Sequence, residues 1–221
     1  MHSLPWIMTG NKYLIFDFDG TVADTIELSL NTFNLIAHEY NCKPIIKEDW
    51  FMLRTMRYQD LIKAYGISNT KMSLILLRIR KEIKARVNEL KPIENISNSL
   101  LQIRNAGLRM GILTSNSAYN VDMFLKYNHQ SDFIDFIYSD KSFFGKDKVL
   151  RRLLDHENIL KEDVIYVGDE TRDIEASRKV GIPVIAVTWG FHNRKTLASL
   201  NPDQIADNPE DLLGCIQKIL T

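Results

Sequence analysis

The chain has 221 residues, enough for one sizeable core with a small accessory domain. Lys plus Arg and Asp plus Glu both number 28, and this balanced charge argues against a dedicated nucleic-acid or polyanion binder. Two distant cysteines, Cys42 and Cys215, and five scattered histidines argue against a disulfide framework and a zinc site, and they fit a reduced, cytoplasmic setting. No apolar stretch is long enough to span a bilayer, and Met1 to Gly10 lacks the basic start and apolar core of a signal peptide, so a short frayed end is expected there.

In chain order, Tyr13 to Phe18 has the apolar and aromatic composition of a strand buried on both faces. Ile26, Leu30, Phe33 and Ala37 then recur at helical spacing until Pro44. Leu53 to Tyr65 is predicted as a second amphipathic helix stopped by Gly66, and Lys71 to Leu90 as a long one with Met72, Ile75, Ile79, Ile83 and Val87 on one stripe. The region from about 24 to 91 holds no convincing strand and resembles a helical module inserted after strand one. Beyond Pro92, helices are expected at Leu100 to Gly107, Ser117 to Tyr127, around Lys148 to His156, at Ile174 to Val180 and at Pro209 to Leu220. Strands are expected at Arg109 to Leu113, Phe133 to Tyr138, Val164 to Val167, Pro183 to Val187 and Ile205-Ala206. This alternation predicts an α/β fold: a Rossmann-like parallel sheet with helices on both faces, plus an inserted α-helical cap domain. The expected boundaries are 1–22 and 92–221 for the core and 23–91 for the cap.

Strand one ends in Asp17-Phe18-Asp19-Gly20, two carboxylates followed by a residue that permits a sharp turn. Burying carboxylates without a partner is costly, so the pair points to a cation or a catalytic task. The second strand ends in Thr114-Ser115-Asn116 and the fourth in Gly168-Asp169-Glu170. Parallel strands bring such ends to one edge of the sheet, where α/β proteins bind ligands. Asp17 and Asp169 are placed to share one cation, with Asp173 reaching it from the next helix, and an all-oxygen set suits Mg²⁺. Thr114, Ser115 and Asn116 precede a helix start, whose free N–H groups favour an anion, although Ser115 or Ser117 also suits a plain helix cap. Lys146 and Lys148, behind Gly145, are both candidates to neutralise a phosphate.

Asp17-Phe18-Asp19-Gly20-Thr21-Val22, Thr114 or Ser115, Gly145-Lys146 and Gly168-Asp169-Glu170-Thr171-Arg172-Asp173 resemble, in order and strand context, the four motifs of the haloacid dehalogenase-like hydrolase superfamily. The helical module, Thr188-Trp189-Gly190 and the tail from Ile205 to Leu212 resemble the subgroup containing phosphoglycolate phosphatase. The resemblance implies a Mg²⁺-dependent phosphatase acting on a small phosphorylated metabolite. From charge balance and hydropathy no nucleic-acid or membrane partner is expected, and the chain is expected to be a monomer or homodimer. It implies Asp17 as a nucleophile that becomes an aspartyl-phosphate, and Asp19 as general acid and then general base. It also implies metal ligation by the Asp17 side chain, the Asp19 main-chain carbonyl, Asp169 and nearby Asp173. Ser115 or Thr114 would hold phosphoryl oxygens with Asn116, and Lys146 would steady nucleophile and phosphate.

Two features depart from the usual phosphoglycolate phosphatase pattern: Gly145-Lys146-Asp147-Lys148 replaces Lys-Pro-x-Pro, and Glu170 replaces a Ser or Thr. A dehalogenase would ordinarily lack an acid at Asp19, whereas a phosphomutase or a non-catalytic phosphate sensor would share the site. In the cap, Arg54 and Arg57, near Trp50, are candidates to lie over the substrate. The basic residues of Lys71 to Lys91 are expected on a solvated face. Trp6, Trp50 and Trp189 are expected to pack or to mark hinges.

Overall fold

The computed structural model describes residues 12–57, 60, 63–140, 142 and 145–221. Six strands form one sheet: β1 (Tyr13–Phe16), β4 (Arg109–Thr114), β5 (Phe136–Ser139), β6 (Val164–Gly168), β7 (Val184–Val187) and β8 (Gln204–Ala206). Their order is β5-β4-β1-β6-β7-β8, and every pairing is parallel. β1 is thus an inner strand, and its apolar run follows from that position. Leu14 and Phe16 pack on one face with Ile103, Phe124 and Ile216, while Tyr13 and Ile15 pack on the other with Leu153, Ile174 and Leu197. Burying each such side chain contributes roughly 1.5–3 kcal/mol.

The first face is covered by α4 (Ile96–Asn105), α5 (Ala118–Tyr127) and α9 (Leu212–Leu220), and the second by α6 (Lys146–Glu157), α7 (Thr171–Val180) and the short α8 (Arg194–Ala198). The expected Rossmann-like arrangement with helices on both faces is therefore present. The third strand starts later than expected, because Ser131–Phe133 forms a 3-10 turn before it. α8 was not anticipated.

Between β1 and α4 stand α1 (Ile26–Ile36), α2 (Lys47–Leu53) and α3 (Asn69–Ala85). Phe33, Ile36, Ile67, Met72 and Ile75 form a small core of their own there. Two expectations for this region are corrected. It contains strands after all: β2 (Ala23–Asp24) pairs antiparallel with β3 (Lys91–Pro92), joining the entry and exit of the module. Two-residue strands carry no alternation to detect. A helix ends at Leu53 rather than starting there, and the chain turns at Arg54 to Met56. Four positions of the expected Leu53 to Tyr65 helix (58, 59, 61 and 62) lie outside the described residues, as does Trp6.

One surface ion cluster ties α4 to the sheet. Asp135 accepts from Arg104 Nη1 at 2.9 and 3.0 Å and from the Met110 N–H at 2.8 Å, beside Arg109. Burial raises the Asp135 pKa, but these hydrogen bonds and the two guanidinium charges outweigh it and hold the carboxyl below its usual range. A depressed folded pKa stabilises above the unfolded carboxylate pKa, about 3.9, and that stabilisation is lost as pH falls through the folded value. In denaturant titrations, Asp135→Asn is expected to be less stable than the native chain at neutral pH. The gap should close as the pH is lowered through the carboxylate range; a gap that widens on acidification would contradict this.

Candidate active site

The C-terminal ends of β1, β4 and β6 converge on a buried acidic centre. Asp17 follows β1, and its N–H continues the ladder to the Val167 carbonyl at 2.8 Å. Asp169 follows β6, and Asp173 sits in the first turn of α7. All three are buried, and one oxygen from each lies within 4.8 Å of the others. Thr21 Oγ1 donates to Asp169 Oδ1 at 2.8 Å, and the Phe191 N–H donates to Oδ2 at 2.7 Å. Asp173 divides its oxygens: Oδ2 accepts from the Glu170 N–H at 2.9 Å as part of the α7 capping box, and Oδ1 faces the Lys146 ammonium. Sequence reasoning passed over Thr21, Gly168 and Gly190 as site residues. A Cβ at Gly168 would overlap the Asp173 carboxylate, and one at Gly190 would overlap Asp169. At Gly20, φ is 77°, and a Cβ there would come within 2.5 Å of Asp169 Oδ2, so backbone conformation and space both require glycine.

Lys146 is the lysine that enters the site. Its Nζ donates to Asp17 Oδ2 at 2.7 Å and pairs with Asp173, whereas Lys148 is exposed. Burial alone would lower the Lys146 pKa, but Asp17 and Asp173 outweigh it and keep the ammonium well above its ordinary value. Burial first, then the charges of Glu170, Asp17 and Asp173, push Asp169 well above the usual carboxylate range. Asp173 is raised to about 6, burial again dominating over the help of Lys146. Three carboxylates held together against their repulsion form an all-oxygen donor set, and a hard divalent cation would offset that repulsion. The residues fit Mg²⁺.

Asp19 lies apart from this group. It is half-buried, lines the space above the site, and is raised to about 6 by burial first and by the Asp17 charge second. Of the second-strand candidates, Thr114 Oγ1 accepts from the Asn116 N–H at 2.9 Å, and Ser117 Oγ caps α5 by accepting from the Asn120 N–H at 3.2 Å. Ser115 has neither task and borders both the Asp17–Lys146 crevice and the larger cavity. The Asn116 carboxamide oxygen accepts from Ser117 N–H and Asn120 Nδ2, while its own buried Nδ2 has no hydrogen-bond partner among the described residues. Ser115 and the Asn116 Nδ2 are therefore the polar groups of this segment not engaged within it, whereas Thr114 shapes the loop.

The cap residues are rearranged relative to expectation. Arg54 is not among the described residues lining the cavity. Its Nε donates to the Phe191 carbonyl at 2.9 Å, and its Nη2 donates to the carbonyls of Thr188 and Gly190 at 3.2 and 3.1 Å. It fastens the cap to the loop that positions Asp169. His192 Nε2 adds to this clasp by donating to the Met56 carbonyl at 2.9 Å, and Trp50 stacks edge-on against Phe191 at 5.4 Å. Trp189 Nε1 donates to the Thr21 carbonyl at 3.1 Å, so the two described tryptophans pack at the junction as expected. Arg57 is exposed. Arg80, counted from sequence among the solvated basic residues, instead lines the cavity near Asp19 and Arg172. Arg172 pairs with Glu170 at 2.7 Å, which accounts for an acidic residue after Asp169.

Residues 14–187 match the family described as haloacid dehalogenase-like hydrolase. The chain belongs to the haloacid dehalogenase-like hydrolases. It is 31% identical to a phosphoglycolate phosphatase of Synechococcus elongatus over 207 residues, 94% of this chain and 98% of that protein. It is 25% identical to the pyrophosphatase PpaX of Bacillus mycoides over 93% of this chain and 97% of that protein. A haloacid dehalogenase-like family protein of Streptococcus pneumoniae superposes with a TM-score of 0.76 at 25% identity, covering 95% of this chain and 100% of that one. The expectation of a phosphatase-type hydrolase is met. Among the described residues, no helix is long and apolar enough to cross a membrane.

Proposed function

We propose that this hydrolase is a Mg²⁺-dependent phosphatase that removes the phosphoryl group of a small phosphorylated metabolite through a covalent phosphate on Asp17. The observation that carries the reading is the position of Asp17: buried, held at Oδ1 by the Phe18 N–H at 2.8 Å and at Oδ2 by Lys146 at 2.7 Å, beside Asp169 and Asp173. A carboxylate so oriented attacks phosphorus, the bond from phosphorus to the ester oxygen breaks, and Asp19 delivers a proton to the departing oxygen. A water then attacks the phosphoryl group, Asp19 takes its proton, and Asp17 is released with inorganic phosphate. The raised pKa of Asp19, about 6, suits a group that must give and then take a proton near neutrality. Ser115 and the Asn116 Nδ2, which has no hydrogen-bond partner among the described residues, would bind phosphoryl oxygens, and Lys146 would balance their charge. Asp17, Asp169, Asp173 and the Asp19 carbonyl would hold Mg²⁺, which supplies charge stabilisation for the transferring phosphoryl group.

The β2–β3 ribbon supports a division into a hydrolase core, 1–22 and 92–221, and a cap, 23–91. The free thiols of Cys42 and Cys215 support a cytoplasmic setting. The test is release of phosphate from 4-nitrophenyl phosphate with Mg²⁺ and with a chelator, in the native protein and in Asp19→Asn. Native turnover should disappear with chelator. Asp19→Asn should release about one equivalent of nitrophenolate per site and then slow by roughly 100- to 10,000-fold, because this leaving group needs no acid but the water still needs a base. Slow turnover from the first equivalent, with no burst, would count against the two-step role of Asp19.

A further inference from the structure

A cavity of about 250 Å³ opens from the acidic centre into the cap, between α1, α2 and α3. Asp19, Ser115, Asn116 and Arg172 line the end nearest the chemistry. Much of its cap side is aliphatic and aromatic: Ile26, Leu30, Phe33, Leu53, Ile75 and Ile79. Its size is more than a phosphoryl group with a two-carbon polar tail needs, since an apolar cavity of roughly 150 Å³ already takes a benzene-sized guest. Beyond Ser29, Tyr65 and Arg80, a leaving group rich in hydroxyls would find few partners on these walls, whereas an apolar one gains from every carbon buried.

We infer that the cap cavity selects phosphate monoesters whose alcohol half is apolar, an alkyl or aryl group of roughly four to eight carbons. This rests on the phosphatase reading and adds the substrate class. The rival within the same cavity is a second anion held by Arg80 and Arg172, as in a carboxylated phosphate ester.

Calorimetric titration of the native protein, with Mg²⁺, by alkylphosphonates from ethyl to hexyl separates the two without requiring turnover. Kd should fall about fourfold per added methylene, and 2-carboxyethylphosphonate should bind more weakly than propylphosphonate. Ile79→Trp, which occupies the space, should flatten the series; circular dichroism checks that it folds. A native series that is flat, or a carboxylated analogue that binds tighter than its alkyl counterpart, overturns the inference. If such a protein still releases phosphate from 4-nitrophenyl phosphate, the phosphatase reading stands alone. A protein that binds no phosphonate and releases no phosphate refutes both.

Discussion

Replacing Asp17 by asparagine should lower phosphatase turnover by about 10,000-fold or more. The amide has nearly the size of the carboxylate, and its oxygen can still accept from the Phe18 N–H; its NH2 then faces the Lys146 ammonium, which retains Asp173 as a partner. The variant lacks the second anionic oxygen that faces Lys146 and would attack phosphorus. Fold retention is checked by thermal denaturation and chemistry by single-turnover phosphate release. A variant with more than about a tenth of native kcat would exclude Asp17 as the nucleophile.

Lys146→Met should cost roughly 100- to 1,000-fold in kcat/KM, the scale expected for losing one preorganised charge partner of a transferring group. It should also be less stable. Removing the ammonium leaves Asp17 and Asp173 buried with one fewer counter-charge, and breaking a buried pair costs about 3–5 kcal/mol. For a chain of this size that corresponds to a fall in Tm of roughly 10 °C. Because the deficit is one of positive charge, Mg²⁺ should restore more of the Tm in Lys146→Met than it adds to the native protein. The matching change at Lys148, which is exposed, should alter neither activity nor Tm appreciably. Equal effects at both positions would remove the assignment of Lys146.

The core and much of the site were legible because their signals are local. A buried inner strand must be apolar until it ends, so Asp17 and Asp19 stand out where the run stops. Gly168-Asp169 stands out for the same reason on β6. The cap was less legible. Its first and last residues pair as two-residue strands, too short for any periodicity, and the turn at Arg54 depends on carbonyls 134 to 137 positions away. Arg80 shares a helix with residues that face solvent, and only its spacing from Leu76 and Ile83, which line the same cavity, marks it as turned toward Asp19.

By itself the sequence determined the α/β order, the acidic strand ends and the presence of a serine-rich loop and a glycine-lysine step, since each is written in consecutive residues. Only the tertiary structure decided that Lys146 rather than Lys148 reaches Asp17, that Ser115 is left open while Thr114 and Ser117 serve the loop, and that Arg54 clasps the core. It also decided that the space above Asp19 is largely apolar on the cap side. The physical reason is distance: these choices depend on contacts between segments far apart in the chain, which the strand order and the docking of the cap bring within hydrogen-bond reach.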